Sequence, residues 1–324
     1  MSALGPEASM PELPEVETVA RDLRPRLRGR TIMAVRRGPA GLRRPWDRAW
    51  DAALTGARIE GVRRRGKWIL IDLAEGRLLR VHLGMTGQLT VAPAGEAEPD
   101  HLHLVFPLDD GSELRYRDIR RFGSVEYFPD RAAVEAEMNR QLGPEPFGLD
   151  AVAFRTAVTG TVRNLKAVLL DQSVVAGVGN IYADEACFRA RLHPGRTGKS
   201  LRTEECDRLR TAIEAVLTKA VASRGSTIRD YVGGSGLGGR FQTEFAVYGR
   251  AGEPCPVCRT PIACVRLAGR SSHFCPVCQP QDPPRRATNR PVGRAGGQGG
   301  GRSGGQGGRA GGRTVPSRSA SRRD

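Results

Sequence analysis

The stretch LLDQSVVAGVGNIYADEACF at residues 169–188 decides the fold of the second half of the chain. Apolar residues recur at helical spacing over 162–170 and again over 181–190, on either side of Gly177-Val178-Gly179-Asn180. So short a join predicts two helices in a helix–turn–helix-like pair. Backbone N–H groups and the Asn180 amide at a helix start favour phosphate binding, although asparagine is also a common helix cap.

The helical pattern continues outward from this pair, over 151–159 and 204–224. Gly143-Pro144-Glu145-Pro146 precedes it and marks a domain junction. Lys166 belongs to the helix over 162–170, where its side chain faces either the phosphate-binding groove or open solvent. We therefore predict a helical domain over 143–244.

Before the junction, the pattern changes to that of β-strands. One helix, predicted at 15–28, comes first. Strand-like runs follow at 58–62, 68–73, 78–83, 101–106 and 124–128. This order predicts a β-sandwich or barrel behind one helix over 11–142, and an α+β fold class for the whole chain.

The amino-terminal stretch Met10-Pro11-Glu12-Leu13-Pro14-Glu15-Val16-Glu17-Thr18 carries the most specific chemistry. Removal of the methionine would leave Pro11 with a free secondary amine, which forms an iminium, a Schiff base, with a carbonyl carbon. An α-amino group titrates near ~8, so an unprotonated fraction exists at neutral pH. Glu12 beside it is a candidate for proton transfer. The alternative is that the prolines only stiffen a loop before the helix.

Four cysteines form two pairs, Cys255-Pro-Val-Cys258 and Cys275-Pro-Val-Cys278, separated by sixteen residues. This spacing is typical of a structural zinc site, because four thiolates close a tetrahedral shell. A redox dithiol would need only one pair. The other cysteines are interpreted as packing residues: Cys187, Cys206 and Cys264.

Charge indicates the kind of partner. The net charge is +16 and the isoelectric point is about 10.5, which points to a polyanion and most often to nucleic acid. Residues 280–324 are rich in glycine and arginine, and such a composition predicts disorder. No apolar run is long enough to span a membrane, and no signal peptide opens the chain. Two CxxC pairs without a secretion signal predict a reducing compartment.

Two basic segments are suited to a nucleic-acid cleft. Arg63-Arg64-Arg65-Gly66-Lys67-Trp68 enters a strand, with its arginines facing solvent or phosphate and Lys67 pointing into a cleft. Arg270 lies between the cysteine pairs, where the tip of a hairpin would present its guanidinium to phosphate. Taken alone, Lys67 is also compatible with an ordinary lysine at a strand edge, and Arg270 with an ordinary arginine on an exposed hairpin.

Two glycine-framed tips, at 82–87 and 118–123, carry apolar side chains with an arginine. Such wedges unstack a base and fill the gap that it leaves. Their members are Met85, Arg120 and Phe122. Either tip taken alone would predict buried side chains beside a turn.

These pieces occur in the order seen in formamidopyrimidine-DNA glycosylases, which are base-excision enzymes related to endonuclease VIII. The chain resembles that family from about residue 10 to residue 279. The motifs are PELPEVET, RRGKW, HLGMTG, DIRRFG, LGPEPF, LLDQSVVAGVGNIYADEACF, GGRFQTEFAVYGR and CPVC…GRSSHFCPVCQ. The resemblance implies a bifunctional enzyme that removes oxidised purines, such as 8-oxoguanine, and then cleaves the strand by β,δ-elimination.

The resemblance also implies roles for single residues. Pro11 would be the Schiff-base nucleophile and Glu12 the adjacent proton donor, while Lys67 and Arg270 would hold phosphate and assist elimination. DNA contacts would come from His101, Arg120, Lys166, Asn180, Met85 and Phe122. The four paired cysteines would hold one structural Zn²⁺ in a finger over 245–279. The partner would be double-stranded DNA containing oxidised bases or abasic sites, bound by a monomer.

The sequence departs from the family pattern in three places. Residues 1–10 precede Pro11, and we expect them to be absent from the mature protein, since an amide nitrogen cannot act as an amine. Ile119 replaces the proline common before the two arginines, which is expected to change only the stiffness of the loop. The tail over 280–324 extends past the finger, either as a non-specific DNA attractor or as a dispensable linker.

Other functions are compatible with parts of the pattern. The same fold could act on oxidised pyrimidines, and a blocked Pro11 would leave a non-enzymatic binder of damaged DNA. A generic zinc-ribbon protein would not explain the amino-terminal motif. Lesion choice is expected to reside in the glycine-rich loop at 233–239. The predicted localisation is the bacterial cytoplasm, associated with the nucleoid through DNA binding.

Overall fold

Helix α1 (Leu13–Leu27) organises the amino-terminal half, because its apolar face is completely buried. The computed structural model describes residues 10–39, 41–226 and 238–281, which belong to one compact unit. The Glu15 carboxylate accepts the Glu12 N–H at 3.0 Å, which satisfies a donor left free at the helix start. The helix therefore begins slightly earlier than the predicted residue 15.

Two antiparallel four-stranded sheets follow α1 and share one apolar core with it. Their strand orders are β2-β3-β4-β8 and β1-β6-β7-β5. The strands are β1 (Arg36–Arg37), β2 (Ile59–Arg65), β3 (Trp68–Leu73), β4 (Arg77–His82), β5 (Gly87–Pro93), β6 (Leu102–Pro107), β7 (Ser112–Asp118) and β8 (Ser124–Phe128). This arrangement confirms the predicted sandwich behind one helix.

The carboxy-terminal half is helical and has a core of its own, to which Leu169, Tyr182 and Leu217 contribute fully buried side chains. Helix α6 begins directly after the glycine-rich join, as predicted. The remaining helices are α2 (Ala49–Leu54), α3 (Arg131–Gln141), α4 (Ala151–Thr159), α5 (Leu165–Leu170), α6 (Asn180–Arg189) and α7 (Thr203–Ala222).

Strands β9 (Ala263–Leu267) and β10 (Arg270–Phe274) form a hairpin between the two cysteine pairs. Its two-residue turn, Ala268-Gly269, has positive φ angles of 50° and 72°. A turn of this type matches the twist of the strands that it joins. Arg270 consequently lies directly after the hairpin tip.

The β2–β3 turn is fastened to the segment that leads into the helical half. Glu145 accepts hydrogen bonds from Arg64 Nη2 at 2.7 Å, Arg65 Nη1 at 3.1 Å and the Gly66 N–H at 2.8 Å. The prediction that these arginines face solvent or phosphate is wrong for Arg64 and Arg65, because Glu145 pairs with both and Glu17 also pairs with Arg64. The turn that carries Lys67 is thereby held against the helical half.

Some predicted features lie outside the described residues, namely the leader over 1–9, most of the 233–239 loop and nearly all of the tail. Among the described helices, none is both long and apolar enough to cross a membrane. Within the described ranges, three strands and two α-helices escaped the sequence prediction: β1, β5, β7, α2 and α3.

Candidate active site

A cleft of about 430 Å³ opens between the sheets, the helical half and the zinc hairpin. Lys67 enters it from the β2–β3 turn and Arg270 from the hairpin tip. Its lining residues include Met10, Lys67, Trp68, His82, Met85, Gln172, Gly179, Asn180 and Arg270. The chain thus brings the predicted Lys67, Met85, Asn180 and Arg270 around one cavity, which is next to the predicted nucleophile.

Glu12 packs against the cleft residue Gly179 and is almost completely buried, with 1% of its surface exposed. Its Oε1 accepts the N–H of Ile181 at 2.8 Å, in the first turn of α6. A helix start offers free N–H groups and a partial positive charge, which favour a carboxylate there. The α6 amino terminus therefore holds a protein carboxylate, whereas the sequence had suggested a phosphate.

The glycines of the GVGN join are required by how closely the amino-terminal stretch approaches. A Cβ at Gly179 would lie 2.3 Å from Glu12 Cδ, and one at Gly177 would lie 2.7 Å from Leu13 Cβ. Gly177 also has a φ of +91°, which only glycine adopts readily. Its carbonyl accepts the Leu13 N–H at 3.0 Å. The join therefore packs directly against Glu12 and Leu13 and leaves no room for a side chain at either glycine.

Burial tunes the charge of the two central groups. Removal from water raises the pKa of Glu12 from 4.5 to about 7, although the Lys67 ammonium opposes this effect. Removal from water likewise lowers the pKa of Lys67, while Glu12 and Glu15 act in the opposite direction. Glu12 is consequently suited to exchange protons near neutral pH, and Lys67 gives up its proton more readily than an exposed lysine does.

His82 is a cleft residue that the sequence reasoning missed. Its ring packs edge-on against Trp68 with 4.7 Å between centroids, and its Nδ1 accepts the Gly84 N–H at 3.1 Å. Burial, with Lys67 and Arg44 nearby, lowers the His82 pKa to about 4. His82 is therefore neutral at pH 7 and carries its proton on Nε2. The only local signal was its place at the start of the HLGMTG tip.

The two predicted wedge tips are adjacent. The Arg120 guanidinium lies over the Phe122 ring at 4.7 Å from the centroid, and 44% of Phe122 is exposed. Such a cation–π pair stiffens two side chains that would otherwise move independently. Met85 lines the neighbouring cleft. Phe122 lines a second pocket, which shares Trp68 and His82 with the cleft.

His101 does not line the cleft. It is exposed, has a positive φ of 63°, and its carbonyl accepts the Asp118 N–H at 3.1 Å. This bond ties His101 to the base of the DIRRFG tip. A DNA contact from His101 stays a prediction.

Lys166 is placed differently from the expectation. It is fully buried, and its Nζ donates to Asp184 Oδ1 at 2.6 Å and to the Asn180 carbonyl at 2.7 Å. The second Asp184 oxygen accepts the His273 N–H of β10 at 2.9 Å. Lys166 therefore connects α5, α6 and the zinc hairpin from inside and does not reach a surface where DNA could contact it.

Replacing Lys166 with Met should cost about 3–5 kcal/mol of unfolding free energy, because Asp184 would remain buried without its cation. Urea unfolding measures this loss. The double variant Lys166→Met with Asp184→Asn is the matched control and should lose less, since no uncompensated charge remains. Unchanged stability together with weakened DNA binding would instead support the DNA contact.

The four paired cysteines converge on one point. Their sulfur atoms all lie within 4.8 Å of one another, close to the separation of about 3.8 Å that tetrahedral ligands at ~2.3 Å from zinc would have. The N–H of Val257 points to Cys255 Sγ and that of Cys278 to Cys275 Sγ, both at 3.4 Å. Such bonds orient thiolate ligands. The set fits one Zn²⁺ and leaves no position for a substrate, so the metal is structural.

Outside this set, Cys187 and Cys206 are buried, as expected of packing residues, whereas Cys264 is exposed. The packing interpretation is therefore wrong for Cys264. Cys264 lies in strand β9, between the two cysteine pairs but outside the four-cysteine set, so its replacement is a control for the zinc site.

Replacing Cys275 with Ser should release the zinc and loosen the β9–β10 hairpin, because a structural zinc contributes its binding free energy to folding. Metal content per chain, measured on purified protein, should fall from about one to near zero. Cys264→Ser is the matched control and should keep its metal. Full zinc content in the Cys275 variant would exclude Cys275 as a ligand.

Comparison with known proteins agrees with this geometry. Residues 10–125 match the model of the formamidopyrimidine-DNA glycosylase N-terminal domain, 142–232 that of the H2TH domain, and 252–281 that of the zinc finger found in FPG and IleRS. The formamidopyrimidine-DNA glycosylase of Heliobacterium modesticaldum is 48% identical over 277 residues, which covers 83% of this chain and 100% of that protein. That of Geobacillus kaustophilus is 46% identical over the same length and coverage.

Solved structures show the same likeness. A Lactococcus lactis FPG mutant in complex with Fapy-dG-containing DNA superposes with a TM-score of 0.78 at 35% identity, covering 83% of this chain and 100% of that one. The MutM (FPG) protein of Thermus thermophilus gives a TM-score of 0.74 at 44% identity, with 84% and 100% covered. With three family models in order and close relatives matched over their full length, this chain belongs to the formamidopyrimidine-DNA glycosylase family.

Proposed function

We propose that this protein excises oxidised purines from double-stranded DNA and then cleaves the strand at the resulting site. The observation that carries the proposal is Glu12, a desolvated carboxyl with a pKa of about 7 that adjoins Pro11 and packs against the cleft residue Gly179. A carboxyl in this state is protonated often enough to act as a general acid at neutral pH. Met10 lines the same cleft, so a free Pro11 nitrogen would face it.

The proposed chemistry begins with the Pro11 nitrogen. It forms a bond to C1′ while the bond from C1′ to the damaged base breaks, and the base leaves with that electron pair and takes up a proton. The nitrogen then loses its proton and expels O4′ from C1′, which opens the sugar ring and leaves an iminium, while O4′ takes up a proton. The iminium acidifies the C2′–H bond, so loss of this proton expels the 3′ phosphate. A second elimination expels the 5′ phosphate. Lys67 and Arg270 are placed to hold phosphate in the cleft.

The proposed partner is duplex DNA with an oxidised base or an abasic site, bound by a monomer. The net charge of +16 favours such a polyanion. The Lactococcus lactis relatives were solved with DNA containing Fapy-dG and with DNA containing an abasic site. A DNA substrate and bacterial relatives favour action in the cytoplasm at the nucleoid.

A panel of matched duplexes tests the substrate class. Each duplex carries one 8-oxoguanine, formamidopyrimidine, oxidised pyrimidine or normal guanine, and single-turnover excision rates are measured. We expect both oxidised purines to react at least tenfold faster than the oxidised pyrimidine. The reverse order would favour the endonuclease VIII-like alternative, and a Lactococcus lactis relative has been solved with an oxidised pyrimidine.

A further inference from the structure

The two wedge tips are joined by a buried carboxylate. Asp118 closes strand β7 and is completely inaccessible to solvent. Its Oδ1 accepts the Thr86 hydroxyl at 2.6 Å, and its Oδ2 accepts the Gly123 N–H at 2.8 Å. The Asp118 carboxylate thus holds Thr86 of the tip at 82–87. Its bond to Gly123 also joins the two ends of the tip at 118–123.

Thr86 also accepts a hydrogen bond from the tip at 118–123. Its oxygen accepts the Arg120 N–H at 2.9 Å while its hydroxyl hydrogen goes to Asp118. A hydroxyl that donates one hydrogen bond and accepts another has a defined orientation. A methyl group in its place can do neither. Because Thr86 follows Met85, the bond also fixes the backbone that carries that side chain.

The backbones of the two tips are in direct contact. A Cβ at Gly84 would lie 2.4 Å from the Gly123 nitrogen, and one at Gly123 would lie 2.4 Å from the His82 carbonyl. Only glycine permits both approaches. The two tips are therefore packed backbone against backbone.

Two further bonds anchor this pair of tips to the sheet. The His103 Nε2–H donates to the Asp118 carbonyl at 2.8 Å, and the Asp118 N–H donates to the His101 carbonyl. His103 is itself buried. All polar groups of Asp118 consequently have partners in the sandwich.

We propose that Asp118 and Thr86 are positioning residues, which lock Met85, Arg120 and Phe122 into one preformed plug for the gap left by an everted base. The inference rests on the proposed function, since gap filling presupposes that the protein everts a nucleotide. A preformed plug binds more tightly than two independent loops, because its side chains lose little conformational freedom on binding. Loss of the Thr86 hydroxyl removes the side-chain hydrogen bonds that join the two tips and leaves Lys67 and Arg270 untouched.

The test is equilibrium binding of the zinc-loaded full-length chain to two duplexes. They are identical except that one carries a tetrahydrofuran abasic analogue, which leaves a gap opposite its partner base. Thr86→Val should weaken binding to the abasic duplex about tenfold, because both Thr86 hydrogen bonds are lost and the tips must then be ordered on binding, with less than a twofold change on the undamaged duplex. Thr86→Ser, which keeps the hydroxyl, should bind like the original protein.

A double-mutant cycle separates positioning from general damage. In a Met85→Ala background the plug is already broken, so Thr86→Val should add at most a twofold further loss on the abasic duplex. Equal losses on both duplexes, or a full tenfold loss in that background, would overturn the proposal. Thermal unfolding identifies any variant that is not folded at the binding temperature, and Thr86→Ala then replaces Thr86→Val.

The same data distinguish this inference from the proposed function. If the original protein shows no preference for the abasic duplex, the proposed function fails and the plug fails with it. If the preference is present and Thr86→Val retains it, only the plug is excluded.

Discussion

Borohydride is expected to trap the protein covalently on an 8-oxoguanine·cytosine duplex when Pro11 is the amino-terminal residue, and not when residues 1–10 remain attached. A free proline nitrogen has an electron pair for C1′, whereas an amide nitrogen has given its pair to resonance with the carbonyl. Borohydride reduces the iminium to a stable amine, so the adduct can be counted on a gel. The chain that begins at Pro11 should give a clear covalent adduct, and the chain that retains residues 1–10 should give only the background signal.

Mass mapping of the adduct decides which amine reacted. Lys67 is the competing nucleophile, because it lies in the cleft and desolvation lowers its pKa. The control is the Pro11-started chain incubated without borohydride. An adduct on Lys67, or trapping by the chain that retains residues 1–10, would remove Pro11 from its role.

The same pair of proteins tests the non-enzymatic alternative. The chain that retains residues 1–10 should still bind an abasic-analogue duplex, because the cations of the cleft do not depend on the amino terminus. If both forms bind and neither is trapped, the protein is a binder of damaged DNA without the amine chemistry.

The sequence predicted those parts of the fold whose apolar pattern is local. Strand β3 is apolar at almost every position, and α4 was predicted with the bounds that the structure has. Strand β7, SELRYRD, was missed because charged residues lie among its buried positions. Glu113 there pairs with Arg36 at 2.7 Å, and Arg115 donates to the Glu96 carbonyl at 2.8 Å, so their compensation depends on partners remote in sequence. Helix α3 buries only Val134 and Met138, too few for a clear period.

The candidate site, like the fold, could be predicted from the sequence only in part. Pro11, Glu12, Lys67 and Arg270 lie in contiguous motifs, so their association could be predicted from the family resemblance. The burial of single side chains could not be predicted from the sequence. Full burial is what distinguishes Lys166 from the residues that line the cleft. Its partner Asp184 lies eighteen residues further along the chain, one turn of helix beyond Asn180, and no local pattern distinguishes a paired buried lysine from a solvated one.

Replacing Glu12 with Gln should slow excision of 8-oxoguanine by about 10²–10⁴-fold, the usual contribution of a positioned acid or base. Glutamine is close in shape and can still accept the Ile181 N–H, but it has no proton to give. Strand cleavage at a preformed abasic site should fall less, because no base has to leave. Glu96→Gln, at an exposed position, is the matched control and should leave both rates unchanged.

The pH dependence of the same variant provides an independent check. Because the Glu12 pKa is raised from 4.5 to about 7 in the folded protein, the folded state holds a proton that the unfolded state has lost between these values. The stabilising effect of that proton is fully present below pH 4.5 and disappears as the pH rises to 7, at a total of about 3 kcal/mol. Excision should decline above pH 7 for the same reason, since the acid is then deprotonated. Glu12→Gln should abolish this part of the stability change, measured by urea unfolding between about pH 5 and 8. A variant that unfolds with the original pH slope would place the titrating group elsewhere, and Glu15 would be the next carboxyl to replace.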